Sequence, residues 1–404
     1  MRKCKLGEIA KFKTGPFGTQ FKAAEYTQSG YPVINVKNIG IGRIIDNDIE
    51  FVSEKTRNRL SEHIIHEGDI VFARKGSVER HTYVRKEHDG WVQGSDCIKA
   101  KIDAGIEPRY VSYYLCLESV KKQLMLKAVG STMPSMNTDI LKDIAITLPD
   151  DEGVEKRIAD FFDNINEKIL SNEKIIATLE SMAKTLYDYW FVQFDFPDAN
   201  GRPYKTSGGK MEWNETLSRE IPAGWEVQNV GSLIKKQKSI KSIERKNYSA
   251  NGKYPIVDQS AEYIAGYTND EVNALEGEDS IIVFGDHTRI LKYVDFPFAI
   301  GADGTQRIVS NNKERMPQIL FYYSLSRIDL SNYGYARHYK FLKDSVIVVP
   351  QKDVASNFEI QVKCWHQIIS KVIRENRYLA EMRDFLMPML MNGQVKILNG
   401  REAF

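Results

Sequence analysis

The chain has 404 residues with 56 Lys+Arg against 54 Asp+Glu, and a formal net charge of +2 excludes a strongly cationic or anionic protein, so any polyanion binding must rest on local charge. Its 42% hydrophobic and 27% charged residues suit a folded chain longer than one ordinary domain, and no apolar run is long enough to span a bilayer. The start, MRKCKLGEIA, lacks a signal-peptide core, and Cys4, Cys97, Cys116 and Cys364 have neither metal nor disulfide spacing, so reduced thiols in the cytoplasm are expected.

In chain order, Leu6 to Phe12 opens a net-basic domain of short strands. KFKTGPFGTQFK is a Gly-punctuated polar loop, and YPVINVKNI, Tyr31 to Ile39, predicts an alternating strand. A strand from Ile70 to Phe72 runs into a basic turn with Arg74, Lys75, Gly76, Arg80 and His81, and GWVQGSDCIKAKI supplies another strand. Pro108 to Val129 turns helical, GSTMPSMN (Gly130 to Asn137) is a polar loop, and a strand over Ile144 to Leu148 ends at Pro149.

A long acidic helix is predicted from Asp151 to Trp190, behind capping Asp150 and Asp151. Ile158, Ile165, Leu179 and Leu186 fall on one position of a seven-residue frame, and Phe162, Ile169, Ile176, Ala183 and Trp190 on another, the period of a coiled-coil seam. Asn172 interrupts the first series, as residues that fix register do. Roughly 40 residues at ~1.5 Å each make a rod of about 60 Å, which needs a partner helix.

That partner is predicted from Asn357 to Leu390, where the frame recurs with Val362, Ile369, Asn376 and Leu390 in one series and Ile373, Ala380 and Met387 in the other. Arg383 and His366 stand where the first helix has Leu179 and Phe162, and Pro388 is expected to kink or end the helix. Two unrelated core helices are the plainer alternative; the shared asparagine favours a repeat.

Between the helices, Phe196 to Glu226 reads as a Pro- and Gly-rich connector, after which the first domain's order returns. Val227 to Lys235 matches the start, YPIVD (Tyr254 to Asp258) matches YPVIN, and the strand Ile281 to Phe284 with GDHTR matches the earlier strand and basic turn. Helical Pro317 to Leu325 follows, GYARHYK (Gly334 to Lys340) stands where GSTMPSMN stood, and LKDSVIVVP answers LKDIAITLP. The expected fold is therefore α+β: two similar mixed α/β domains separated by a long antiparallel helical coiled coil, an internal repeat with pseudo-twofold symmetry. Its expected parts are residues 1–149, the central helix 150–196, the connector 197–226, the second domain 227–351 and the C-terminal helix 352–404.

This layout resembles the specificity subunit of Type I restriction-modification enzymes. The resemblance rests on the duplicated LKD...LP boundary, the two long helices, TMPSMN, the YDYWFVQFDFP helix end and the connector PYKTSGGKMEWNETLSREIPAGWEV, and it covers essentially the whole chain. It implies two target-recognition domains, each reading half of a split site in double-stranded DNA, and helices that dock two methyltransferase subunits, with restriction and motor subunits added for cleavage. A related two-protein system, with a fused methyltransferase-nuclease partner, is the alternative within this class. A coiled-coil adaptor with no DNA role is the alternative outside it.

In such domains phosphate contacts position and a few side chains at base edges specify. The candidates in the first domain are Gln20, Arg74, Lys75, Ser77, Arg80, His81 and Asn137; in the second they are Asp286, His287, Thr288, Arg289, Gln306, Arg307, Arg337, His338 and Lys340. Asn172 and Asn376 are the candidate register pair, expected to meet across the seam. A heptad added to both helices is expected to lengthen the unread gap by about three base pairs, from roughly 10 Å of added rod.

No catalytic residue, metal site or cofactor is expected. SGGKM has Met where a phosphate-binding loop needs a hydroxyl, and no Gly-rich turn for a methyl donor or Asn-Pro-Pro-Tyr-like motif occurs. Glu244, Arg245 and Lys246 match a nuclease pattern only within a polar charge run, and the histidines lack ligand spacing.

Overall fold

The computed structural model describes residues 1–130, 134–151, 153–237, 240–271, 274–275, 280–334 and 337–397. It falls into two compact units, one of residues 1–169 with 377–404, the other of residues 170–376. None of the described helices is long and apolar enough to cross a membrane.

In the first unit the opening strand Arg2–Lys5 lies antiparallel to Ala145–Leu148, so the domain is closed by its own two ends. A five-stranded sheet runs in the order Ala10–Thr14, Cys97–Ile102, Asp69–Ala73, His81–Tyr83, Ile41–Gly42. The strand Asp69–Ala73 is buried on both faces. Because side chains alternate, Ile70 and Phe72 enter the main core while Val71 and Ala73 enter a second, smaller one. A four-stranded sheet runs in the order Tyr26–Thr27, Glu50–Val52, Tyr31–Ile34, Val92–Gln93, with Val33 beside Val92 in a parallel pair. The alternating strand expected over Tyr31 to Ile39 stops at Ile34. Asn38 Oδ1 accepts the Asn35 N–H (3.1 Å) and its amide donates to the Ile45 carbonyl (3.1 Å), which turns the chain after Asn35.

Helices Pro108–Leu115 and Glu118–Lys127 pack on the main core. So do Ile158, Phe162 and Ile165 of the central helix and Met387, Leu390 and Met391 of the C-terminal helix. Beside this apolar contact lies buried Asp163, which accepts from Arg85 (2.8 Å), Arg109 (2.7 Å) and the Tyr113 hydroxyl (2.8 Å). Arg109 also pairs with Glu107 (2.8 Å) and Asp160 (2.8 Å), so each charge has a partner.

The second unit repeats the order. Strand Glu226–Asn229 pairs with Val346–Val349, a three-stranded sheet runs Leu291–Val294, Ile281–Gly285, Thr305–Ile308, and Ile256 lies beside Ala299 in a parallel pair. Ile282 and Phe284 face the main core, and Ile281 and Val283 the smaller one. Here the domain meets the helices through rings: Tyr187 stacks on Phe191 (5.1 Å) and Tyr323 (6.1 Å), and Phe358 meets Phe191 edge-on (5.1 Å).

The central helix covers Val154–Tyr187 and passes into a π-helical turn over Asp188–Val192. The C-terminal helix runs from Lys352 to Met391, longer at both ends than its apolar pattern. Pro388 lies inside it, and the helix continues to the end of that turn before Gly393, at φ +71°, closes it. Two seam positions that lack apolar residues are filled by hydrogen bonds. Arg383 donates to Asn166 Oδ1 at 3.1 Å, and His366 bonds the Tyr323 hydroxyl at 2.7 Å. Burial lowers the His366 pKa to about 4. Asn172, fully buried, donates to Asn376 Oδ1 (2.7 Å) and Glu375 (2.9 Å). Within each unit the helices run antiparallel, with Asn166 opposite Arg383 in the first and Trp190 opposite Phe358 in the second.

The connector is more ordered than its composition suggests. Strands Met211–Asn214 and Arg219–Pro222 form a hairpin, and Phe196 lies between Tyr204 (4.6 Å) and Trp225 (5.2 Å) in a ring stack.

Candidate nucleic-acid interface

In the first domain the turn after Asp69–Ala73 is held by backbone bonds on both sides. Arg74 N–H donates to the Asp96 carbonyl (2.8 Å), Arg74 carbonyl accepts from Met136 N–H (2.8 Å), and Gly76 N–H donates to the Pro134 carbonyl (2.9 Å). Gly76 takes φ +76°, which an L side chain resists. The framework brings Arg74 over the ring of Phe17 (5.5 Å) and Lys75 against Asp96 (3.1 Å), and leaves Phe17 58% exposed. Ser77 and Arg80 are half-buried in the same turn, and the Ser77 carbonyl accepts the Arg80 N–H (3.0 Å).

In the second domain the same positions carry the same backbone bonds. Asp286 N–H donates to the Gly304 carbonyl (2.8 Å), and its carbonyl accepts from His338 N–H (2.9 Å). The Asp286 carboxylate accepts the Tyr339 N–H (2.8 Å) at the start of helix His338–Asp344. His287, Thr288 and Arg289 form the exposed turn above this base, with Arg289 in the left-handed region at φ +63°. Thr288 donates to the Gln259 carbonyl (2.7 Å) and Arg289 to the Leu330 carbonyl (3.1 Å).

The Type I restriction modification DNA specificity domain family matches residues 1–181. A relative of similar length, the Type I restriction enzyme MjaIX specificity subunit of Methanocaldococcus jannaschii, is 24% identical over 97% of this chain and 92% of its own. The HindI specificity subunit of Haemophilus influenzae is 24% identical over 52% of this chain and 46% of its own. Residues 1–181 thus match the DNA specificity domain of that family, and the whole chain is similar to Type I restriction enzyme specificity subunits. The crystal structure of a Type I restriction-modification S subunit from M. genitalium shares the fold, with a TM-score of 0.62 at 15% identity over 96% of this chain and 95% of that one.

Two of the candidate residues are buried rather than presented at the surface. His81 is fully buried in the sheet rather than in the turn, and its Nε2 meets the Ser112 carbonyl (2.9 Å) and hydroxyl (3.1 Å). Burial lowers its pKa to about 4, so it is a neutral core residue. His338 is also buried, with Nδ1 on the Asp286 carbonyl (2.9 Å) and Nε2 on the Tyr333 carbonyl (3.1 Å); it braces the loop from beneath.

The other candidates differ in how freely they are presented. Asn137 is exposed but caps helix Thr138–Lys142 through Oδ1 on the Ile140 N–H (2.8 Å). Gln20 is exposed, and its carbonyl is held by Arg59 rather than by the Arg74 turn. Gln306 and Arg307 are half-buried on a strand, while Arg337 and Lys340 are exposed around the helix start. Ser131, Thr132 and Met133 of TMPSMN, and Tyr335 and Ala336 of GYARHYK, lie outside the described residues.

Sequence reasoning missed three residues of these sites: Phe17, Asp96 and Gln259. The glycines around Phe17 and the position of Gln259 directly after the duplicated YPIVD strand were the available signals.

Proposed function

We propose that the chain reads a bipartite site in double-stranded DNA, one half with each domain, and has no chemistry of its own. The observation that carries the reading is the duplicated framework: in both domains a backbone-clamped turn presents exposed or half-buried polar and basic side chains, as positioning and base readout require. Arg74, Lys75 and Arg80 serve the first half-site, and His287, Arg289, Arg337 and Lys340 the second. Gln20, Ser77, Asn137, Thr288, Gln306 and Arg307 flank them.

The helices dock two methyltransferase subunits, to which restriction subunits add. Exposed apolar residues on the helices support a protein partner: Ile360 is 71% exposed in the second unit, and Tyr378 and Phe385 are 69% and 63% exposed in the first.

The test uses the chain together with its methyltransferase partner. Duplex affinity should fall steeply with added salt as condensed counterions are released. Exchanging residues 1–149 for those of another family member should change one half of the methylated site and leave the other. A flat salt response, or a change in both halves, is the outcome that sinks the reading.

A further inference from the structure

In the exposed turn of the second domain most side chains already make a bond within the protein. Asp286 is buried and caps a helix, Thr288 is spent on the Gln259 carbonyl, and Arg289 reaches back to Leu330. His287 is exposed, and its imidazole bonds none of the described residues.

What holds His287 is Gln259. Its Oε1 accepts the His287 backbone N–H (3.2 Å), its Nε2 donates to the Asp303 carbonyl (2.7 Å), and its own carbonyl takes Thr288 (2.7 Å). One residue thus ties the strand end at Val257 to two separate turns. Two glycines make room for the arrangement. A Cβ at Gly285 would meet Thr288 Oγ1 at 2.1 Å and Gln259 Cβ at 2.8 Å, and one at Gly304 would meet His287 Cδ2 at 2.9 Å and Gln259 Nε2 at 3.1 Å. The imidazole therefore rests against the bare Cα of Gly304, which narrows the directions it can take.

We propose that Gln259 is a positioning residue that sets His287 to read a purine in the second half-site. An imidazole N–H can donate to N7, an acceptor that both purines and neither pyrimidine present in the major groove. The inference rests on the reading of the second domain as a DNA module. In the first domain the residue after the matching strand and its polar end, Val36, has no side-chain hydrogen bond to give, so the latch belongs to the second domain alone.

The experiment selects bound duplexes from a library randomised in both half-sites, using the full chain with its methyltransferase partner. His287→Ala should lower the purine preference at one position of the second half-site about tenfold, the size of one hydrogen bond, without changing the first. Gln259→Ala should relax the same position, and the double variant should be no worse than His287→Ala alone, because both remove one interaction. Gln259→Glu keeps the acceptor for the His287 N–H and should retain more of the preference than Gln259→Ala.

Several results overturn the inference. They are an even loss across all sequences for Gln259→Ala, multiplied effects in the double variant, Gln259→Glu weaker than Gln259→Ala, or an intact preference in His287→Ala. In each of these the DNA-reading function survives. A wild-type chain with no preference in either half-site would instead remove that function and the inference with it.

Discussion

In the first unit the strand-rich domain meets the central helix through ions around Asp163; in the second it meets both helices through rings around Tyr187 and Phe358. Each junction joins a strand-rich domain to the helices of its own unit, yet their chemistry differs in what it tolerates. Arg85 and Arg109 need a carboxylate at one point in space, because a buried charge without a partner costs several kcal/mol. The rings of Tyr187, Trp190, Phe191, Tyr323 and Phe358 gain mainly from buried area and can shift against one another. A duplicated fold thus keeps its topology while exchanging a directional joint for a forgiving one.

The sharpest test of that contrast is Asp163→Asn, nearly unchanged in shape. It should cost about 3 kcal/mol, because Arg85 loses its charge partner and Arg109 keeps only Glu107 and Asp160. Amide exchange should accelerate within 1–169 and 377–397 first; uniform acceleration would mean that the two units unfold together.

Acid should act through the histidines. His366 and His81 are each held neutral, with pKa lowered to about 4. Below about 6.5 the unfolded chain takes up protons that the native chain refuses, so stability declines as pH falls from about 6.5 to about 4 and levels off beneath. The loss should reach about 3 kcal/mol per histidine, and His366→Gln, which keeps a partner for Tyr323, should make the acid limb of the melting curve shallower. An unchanged limb would show that His366 does not titrate on unfolding.

At the seam, Asn172→Leu removes the hydrogen bonds to Asn376 Oδ1 and Glu375 and should cost about 1–3 kcal/mol by thermal melting. Pairing it with Asn376→Leu should recover only part of that loss, because the amide pair is removed while Glu375 still lacks the Asn172 donor. The smallest effect belongs to the ring junction: Phe358→Leu should cost less than about 1.5 kcal/mol if the rings repack. A cost equal to that of Asp163→Asn would erase the contrast between the two joints.

Much of the fold is legible in the sequence because period carries it. The seam residues from Ile158 to Trp190 declare a helix by spacing alone, and the repeated LKD stretch before a strand marks the end of each domain. The C-terminal helix starts at Lys352, ahead of the predicted Asn357, with Ala355 already in the core and Val354 packed against it. The binding turns are less legible. A histidine at the first residue of a buried strand, such as His81 beside Phe72, looks in sequence like one in the turn preceding it. His338 and Gln259 are defined by bonds to Asp286 and His287, between 28 and 52 residues away in sequence, and no local pattern encodes such partners. Glycine and proline in the connector likewise hide the stack of Phe196 on Tyr204 and Trp225.

The make-up of the two units bears on how the chain is synthesised. Residues 170–376 are continuous, so the second unit has all its own material as soon as Asn376 has left the ribosome. The first unit is begun earlier but waits for Met387, Leu390 and Met391, which share its core with Ile158, Phe162 and Ile165. Until those last residues emerge, an apolar helix face lies uncovered for more than two hundred codons of translation, a natural place for a chaperone to bind.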